Sequence, residues 1–503
     1  MTKQAKWMWL LLAVTLTASS AHASIEDRYL LGDDMPNALV YLPTPPDSMM
    51  IAINGDYARW IWGKQQRSTP RGEQASWESK YGIVRMSTIY SDVLGIDISE
   101  DNTPNIYRFM HRAGDTGAGG VATMKSTYFR KRPFLIMNED TWGQYDRYDD
   151  LKNSSAYPSA HTGCGWGTAL ALAEMAPHMQ DTILRRGYEY GISRVIVGAH
   201  WQSDVDAAMT CASAAIARSR ATADYQADLA AARDEYMQLK GLSESDMKAS
   251  FPTISKILDA PSSVDDYSFV GDLCTHWQAK ELRSTERGAQ ALADEAIDDN
   301  YLIGMVAACS PVVTISESET PHIVMLIKTL KLSLNSHATT LKTAFNRKRP
   351  YNQLNEPYTH DSEMWHQYSE SAYPSRHAIV GWGIALALVE VMPDCQNEIL
   401  KRGYEYGESR VIKGSCYSSD VQAARVMAAC DMGKLHNEPM FKILLENAKT
   451  EYQQKLDEAS IESIIASSLL NDTLWYSING VIYDIKPTIP GIYINSGKKV
   501  VVK

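Results

Sequence analysis

A long-period repeat limits what this chain can fold into more than any other feature. Arg67-Ser68-Thr69-Pro70-Arg71-Gly72 returns as Arg283-Ser284-Thr285-Glu286-Arg287-Gly288, and Gly187-Tyr188-Glu189-Tyr190-Gly191 returns as Gly403-Tyr404-Glu405-Tyr406-Gly407, both displaced by 216 residues. A period that long is a whole domain rather than a solenoid unit, and each copy has the size of an ordinary domain. The 503 residues therefore divide into a leader (1–23), a first domain (24–245), a second domain (246–460) and a tail (473–503).

Both copies read as helical. Thr162 to Met175, Asp204 to Ala221 and Ile379 to Val391 are rich in Ala, Leu and Met, and strand signals are nearly absent before the tail. The expected class is all-α: two tandem helical bundles followed by a small C-terminal β-hairpin module. Ala223 to Leu239 reads as one more charged amphipathic helix, Pro252 to Ser263 as a linker, and Gly114 to Gly120 as a helix–helix turn, since it lacks the Lys-Ser/Thr of a phosphate loop. Trp60, Trp62 and Trp77 read as core. In the tail, Val481-Ile482-Tyr483 and Gly491-Ile492-Tyr493-Ile494 alternate, and Asn495-Ser496-Gly497 forms a turn before Lys498 to Lys503.

Lys3 and Lys6, the short apolar run Trp7 to Thr17 and the small residues Ala21-His22-Ala23 read as an export signal cleaved before Ser24. No later stretch is apolar for long enough to insert stably in a membrane. With 49 Lys+Arg against 60 Asp+Glu the net charge is −11, which gives no electrostatic case for nucleic acid and suits small anionic substrates in a local cationic pocket. Nothing in the sequence fixes an oligomeric state. Of the seven cysteines, Cys395 with Cys430 and Cys274 with Cys309 are the expected pairs, with Cys164 a buried free thiol.

The chemistry concentrates in Ala156 to Asp204. His161 follows Pro158-Ser159, a helix-start signal, so it should sit at a helix N-terminus, where free N–H groups stabilise an anion. Asp204 lies four residues after His200, so on a helix the two share a face, and the carboxylate can hold one ring nitrogen while the other stays nucleophilic. Lys125, Arg132 and Arg194 add three cations. That set suffices for phosphoryl transfer through a phosphohistidine, with no metal and no cofactor.

Lys125 and, after six residues, Arg132-Pro133; Pro158-Ser159-Ala160-His161; then Ser193-Arg194, five residues, His200, three residues and Asp204: this arrangement resembles the three-part signature of the phosphatidic-acid phosphatase superfamily, which includes vanadium haloperoxidases. From Tyr57 to Arg218 the wording is similar to the bacterial class A nonspecific acid phosphatases. The resemblance implies a phosphomonoesterase with His200 as nucleophile, Asp204 orienting it, His161 protonating the leaving oxygen, and Lys125, Arg132, Ser159, Ala160 and Arg194 binding the phosphoryl group. Ala160 stands where the family has glycine. A haloperoxidase would hold vanadate with the same cations, and halide oxidation with added vanadate separates the two.

The second copy keeps Lys342, Arg349, Ser375, His377, Arg410 and Asp420, but carries Cys416 where the first has His200 and Arg376 where it has Ala160. Without the imidazole it reads as a degenerate site, either phosphate-binding or purely structural, with a Cys416 thiolate as nucleophile the remaining alternative. The leader implies a periplasmic, secreted or surface location, and the tail resembles the sorting tails of type IX secretion cargo.

Overall fold

The computed structural model describes residues 27–47, 50–357, 359, 371–470 and 474–502; the expected leader lies outside the described residues. The body is helical. Its main helices are α1 (Ala38–Tyr41), α2 (Ile53–Gln66), α3 (Pro104–Gly119), α4 (Ala160–Met175), α5 (Gln180–Ile196), α6 (Gln202–Ser219) and α7 (Ala223–Lys240) in the first half. In the second half they are α8 (Ile254–Ile257), α9 (Val270–Glu281), α10 (Pro321–Leu341), α11 (Arg376–Val391), α12 (Gln396–Ile412), α13 (Ser418–His436) and α14 (Pro439–Leu470). No helix among the described residues is long and apolar enough to cross a membrane.

Each half is built round one helix that is buried on every side, α4 and α11. A helix apolar all round belongs at the centre of a bundle, and α3, α5 and α6 pack round α4 as α10, α12 and α13 pack round α11. The Gly114–Gly120 stretch is not a helix–helix turn: Gly114 to Gly119 are the last part of α3 and Gly120 caps it. A Cβ on Gly117 would stand 2.3 Å from the Gly163 carbonyl of α4, so glycine there lets the two helices touch backbone to backbone.

The halves embrace reciprocally. In the first half's arm, Asn37 N donates to Asn397 (2.8 Å) and the Asp33 carbonyl accepts from Gln396 (3.0 Å), while α1 lies against α12. In the second half's arm, Thr253 N donates to Asp181 (3.0 Å) and the Ser250 carbonyl accepts from Gln180, while α8 lies against α5. Asp181 and Asn397, like Gln180 and Gln396, stand 216 residues apart. Across the middle, Gly55 of α2 meets Gly271 of α9, again 216 residues on, and Gln422 donates to the Asp206 carbonyl at 3.1 Å. The Pro252–Ser263 stretch is thus half of a clasp.

The tail is larger than a hairpin, an antiparallel sheet in the order β2-β1-β3-β4 with β1 Trp475–Ser477, β2 Ile482–Tyr483, β3 Gly491–Asn495 and β4 Lys498–Val502, lying on α14. The expected turn joins β3 to β4, with Ser496 and Gly497 both at positive φ (49° and 71°) as a two-residue hairpin requires. The disulfide expectation fails: all seven cysteines are free and buried. Cys395 contacts Tyr452 and Asp394, Cys309 the carbonyls of Met305 and Glu398, and Cys274 the Asn54 amide. Each of these thiols is thus spent on a polar neighbour other than its expected partner, which sequence spacing does not record. Trp62 and Trp77 pack against the core as expected.

Candidate active site

Ser159 caps α4, its hydroxyl accepting from Thr162 N at 3.2 Å, which leaves half-buried Ala160 and buried His161 in the first turn with their N–H groups directed out of the helix start. His161 stacks on Tyr190 with centroids 4.3 Å apart, and its Nε2 meets the Glu78 carbonyl at 2.9 Å. A carbonyl only accepts, so Nε2 carries the hydrogen.

His200 departs from expectation. It is not on a helix: α5 ends at Ile196, Gly198 turns the chain at φ 80°, and α6 begins at Gln202. Asp204 is therefore the third residue of α6, where its Oδ2 accepts from Trp201 N at 2.8 Å, and it stands 3.4 Å from His200 Nδ1. The group that holds the ring is the Ala156 carbonyl, 2.8 Å from Nδ1. By the same reasoning Nδ1 bears the hydrogen and Nε2 the lone pair, and Arg132 Nη1 donates to that lone pair at 2.8 Å.

The cations converge on this point. Arg132 also donates to the carbonyls of Ala199 (3.0 Å) and Ser154 (3.1 Å), and Lys125 to those of Ser155 and Pro158, the latter at 3.2 Å. Arg194 is 2 % exposed; its Nη2 donates to Asp146 at 2.7 Å while Nε and Nη1 have no partner among the described residues. Burial, then Arg132, pulls Lys125 down to about 7, and burial, then Arg194, pulls Arg132 down to about 10. Both imidazoles lie well below their ordinary value, first through burial and next through Arg194 for His161 and Arg132 for His200. Three cations converge on a neutral imidazole, and among the described residues only Arg194 has a carboxylate partner, so the pocket's charge suits an anion.

Two residues escaped the sequence reading. Arg130 bridges Asp204 and Asp56 at 2.6 Å to each, and Asp56 in turn accepts from Ser203 N and Oγ, so the start of α6 is locked to α2. A signal existed in the repeat: Arg347, Asp272, Ser419 and Asp420 make the same set of contacts in the second half. Asp146 is the other, and no motif marks it.

In the second half Cys416 Sγ approaches the Ala372 carbonyl at 3.7 Å, taking the place of an imidazole but presenting no second nitrogen. Lys342 donates to the Ser371 carbonyl, Arg349 to that of Ser415 (3.0 Å), and His377 Nε2 to that of Glu295 (3.0 Å), while Ser375 caps α11 and Asp420 accepts from Tyr417 N (2.7 Å). Here the Glu295 carboxylate pairs with Arg410 and buried Lys413, which hold it down at about 2 against the opposing effect of burial.

Residues 115–226 match the model of the PAP2 superfamily. The chain is 38% identical over 213 residues to a non-specific acid phosphatase of Providencia stuartii, covering 42% of this chain and 86% of that protein. It is 34% identical to a non-specific acid phosphatase of Salmonella typhimurium (40% of this chain, 81% of that one) and 32% identical to an acid phosphatase of Zymomonas mobilis (39% and 74%). With most of those proteins' own length matched, and the helix start, imidazoles and arginines gathered in one pocket, this chain belongs to the bacterial non-specific acid phosphatase family of the PAP2 superfamily.

Proposed function

We propose that the protein hydrolyses phosphomonoesters through a phosphohistidine at His200. The observation that carries this reading is the ring's placement: Nδ1 lies 2.8 Å from the Ala156 carbonyl, which can only accept its hydrogen, so the attacking lone pair on Nε2 faces the cations that would hold the phosphoryl oxygens. Nε2 attacks phosphorus in line, the P–O bond to the leaving group breaks, and His161 gives that oxygen its proton. Water then attacks the phosphohistidine, yielding its proton to His161 and returning His200 to the neutral form. Lys125, Arg132, Arg194, Ser159 and the free N–H groups at Ala160 and His161 stabilise the charge on the equatorial oxygens. Those cations supply the electrostatic work that a metal would otherwise do, so turnover is proposed to be metal-independent. Asp204 acts through the backbone at Trp201 and through Arg130 more than through direct contact with the ring.

The two halves are read as a duplication (24–245 and 246–460) in which only the first turns over, since a thiol in the Cys416 position lacks the nitrogen that the carbonyl leaves free on His200. Export rests on the leader, with Ser24 as the mature N-terminus. The direct test is phosphate release from p-nitrophenyl phosphate by the full chain in excess chelator, with radiolabelled phosphoryl groups trapped on His200 by an alkaline denaturing quench and then released by acid. Turnover without an acid-labile phosphohistidine would overturn the mechanism, and loss of turnover on chelation would overturn metal independence.

A further inference from the structure

We infer that Asp146 stands in for a phosphoryl oxygen on Arg194 and must give way when phosphate binds, which makes it a specificity-determining residue that weakens affinity for the phosphate group. The inference rests on the reading that Arg194 binds phosphate.

Asp146 belongs to the segment between the short helices Pro133–Met137 and Tyr148–Lys152. That segment is pinned from behind: Trp142 N donates to the Val197 carbonyl (2.9 Å), Gln144 N to Ser76 Oγ (3.2 Å) and Tyr145 N to Ser79 Oγ (3.0 Å). With its backbone held, Asp146 is delivered to Arg194 with a buried carboxylate that uses only one oxygen. Oδ1 takes Arg194 Nη2, while Oδ2 is buried without a partner among the described residues, as are Arg194 Nε and Nη1.

Carboxylates that serve as fixed braces in this fold look different. Asp56 and Asp204 spend both oxygens on Arg130 and on backbone N–H groups. The half-used pair at Asp146 leaves buried polar atoms unsatisfied on both partners, which is costly in a finished arrangement. Both two-pronged faces of a guanidinium run through Nη2, so Asp146 blocks part of the fork that a phosphate would engage. The second half makes the same substitution from elsewhere in the chain. Glu295, 216 residues after Ser79, puts its carboxylate on Arg410. In both pockets a carboxylate relieves the crowding of cations, and in the first it must compete with a dianion for the same donor.

The test uses the full-length protein and inorganic phosphate, read by isothermal titration so that binding is measured apart from turnover, alongside KM and kcat for p-nitrophenyl phosphate. Asp146→Ala should tighten phosphate binding and lower KM about tenfold, the scale of one charge-assisted contact freed for the ligand. Asp146→Asn, which keeps the shape and drops the charge, should do the same in part. In an Arg194→Ala background the Asp146→Ala effect should vanish. Weaker or unchanged phosphate binding in folded Asp146→Ala and Asp146→Asn proteins would show that Asp146 orients Arg194, and would overturn the inference. Tightening without turnover by the wild type would leave the inference standing and sink the phosphatase reading instead.

Discussion

Burial sets the protonation of the site before any neighbour acts. His200 and His161 are both neutral well below the ordinary imidazole value of 6.5, and Lys125 is brought to about 7. A neutral His200 is ready to attack, whereas a neutral His161 cannot donate. The incoming phosphate supplies the negative charge that favours protonated His161 and Lys125, so the proton should arrive with the substrate. We expect kcat/KM to persist into acid, because His200 keeps its lone pair there, and to fall above pH about 7, where Lys125 loses its proton; a profile still rising at pH 8 would contradict this. The same depression sets a stability slope. Folded His161 and His200 bind protons less readily than the unfolded chain, so their contribution is whole above the unfolded value near 6.5 and is lost as pH falls below it. Melting temperature should therefore drop toward acid and recover with added phosphate. His200→Ala should abolish turnover and Cys416→Ala leave it nearly unchanged, each measured on p-nitrophenyl phosphate. The motif residues were legible because each is a polar type with no packing role. Arg130 was not, since it hides inside the six-residue gap of the first motif and shows itself only when the two copies are laid side by side.

Among the elements, the helix starts carry the chemistry and were the most legible parts. Pro158-Ser159 before an apolar run gave α4 correctly, because a cap and a stop to backbone freedom are local properties. Ser159→Ala removes the acceptor for Thr162 N and should cost about 1 kcal/mol, about one degree in melting temperature for halves that unfold together, together with a phosphate contact. The helix read from Asp204 to Ala221 starts two residues earlier, at Gln202, but it does not reach back to His200. A four-residue spacing suggested a shared helical face, but Gly198 and the extended Trp201 break the helix, and only the fold shows that the Ala156 carbonyl supplies the ring's partner. Glycines misled in the opposite direction at Gly114 to Gly120, where contact with α4 outweighs intrinsic propensity. The cysteine pairing failed for a similar reason: helix ends can be placed from sequence, but rotation about each helix axis depends on packing. Titration with a thiol reagent should find seven thiols after denaturation and almost none in the native protein. Fewer than seven would restore a disulfide.

At the scale of the whole molecule, the repeat predicted two domains but not that each arm would cross to the other half. The pairs Asn37–Asn397 and Thr253–Asp181 are the same contact made twice, as in a symmetric dimer, with a covalent linker replacing the second chain. This gives the second half a structural reason to persist without a nucleophile. Its arm, through α8, covers the outer face of α5, the helix that carries Arg194. The halves should consequently unfold together rather than in turn. Gly55 and Gly271 test this, because a Cβ on Gly55 would stand 2.8 Å from the Gly271 Cα, and one on Gly271 3.0 Å from the Gly55 Cα. Neither neighbour is a flexible side chain that can swing away, so the two helices must part, at a cost of about 1–3 kcal/mol. Both glycines lie on the seam, each one residue before a bracing aspartate, Asp56 or Asp272. Gly55→Ala and Gly271→Ala should each lower the midpoint of one shared calorimetric transition by a similar amount. Two separate transitions in the wild type, or a shift confined to one half, would mean that the clasp does not couple the domains.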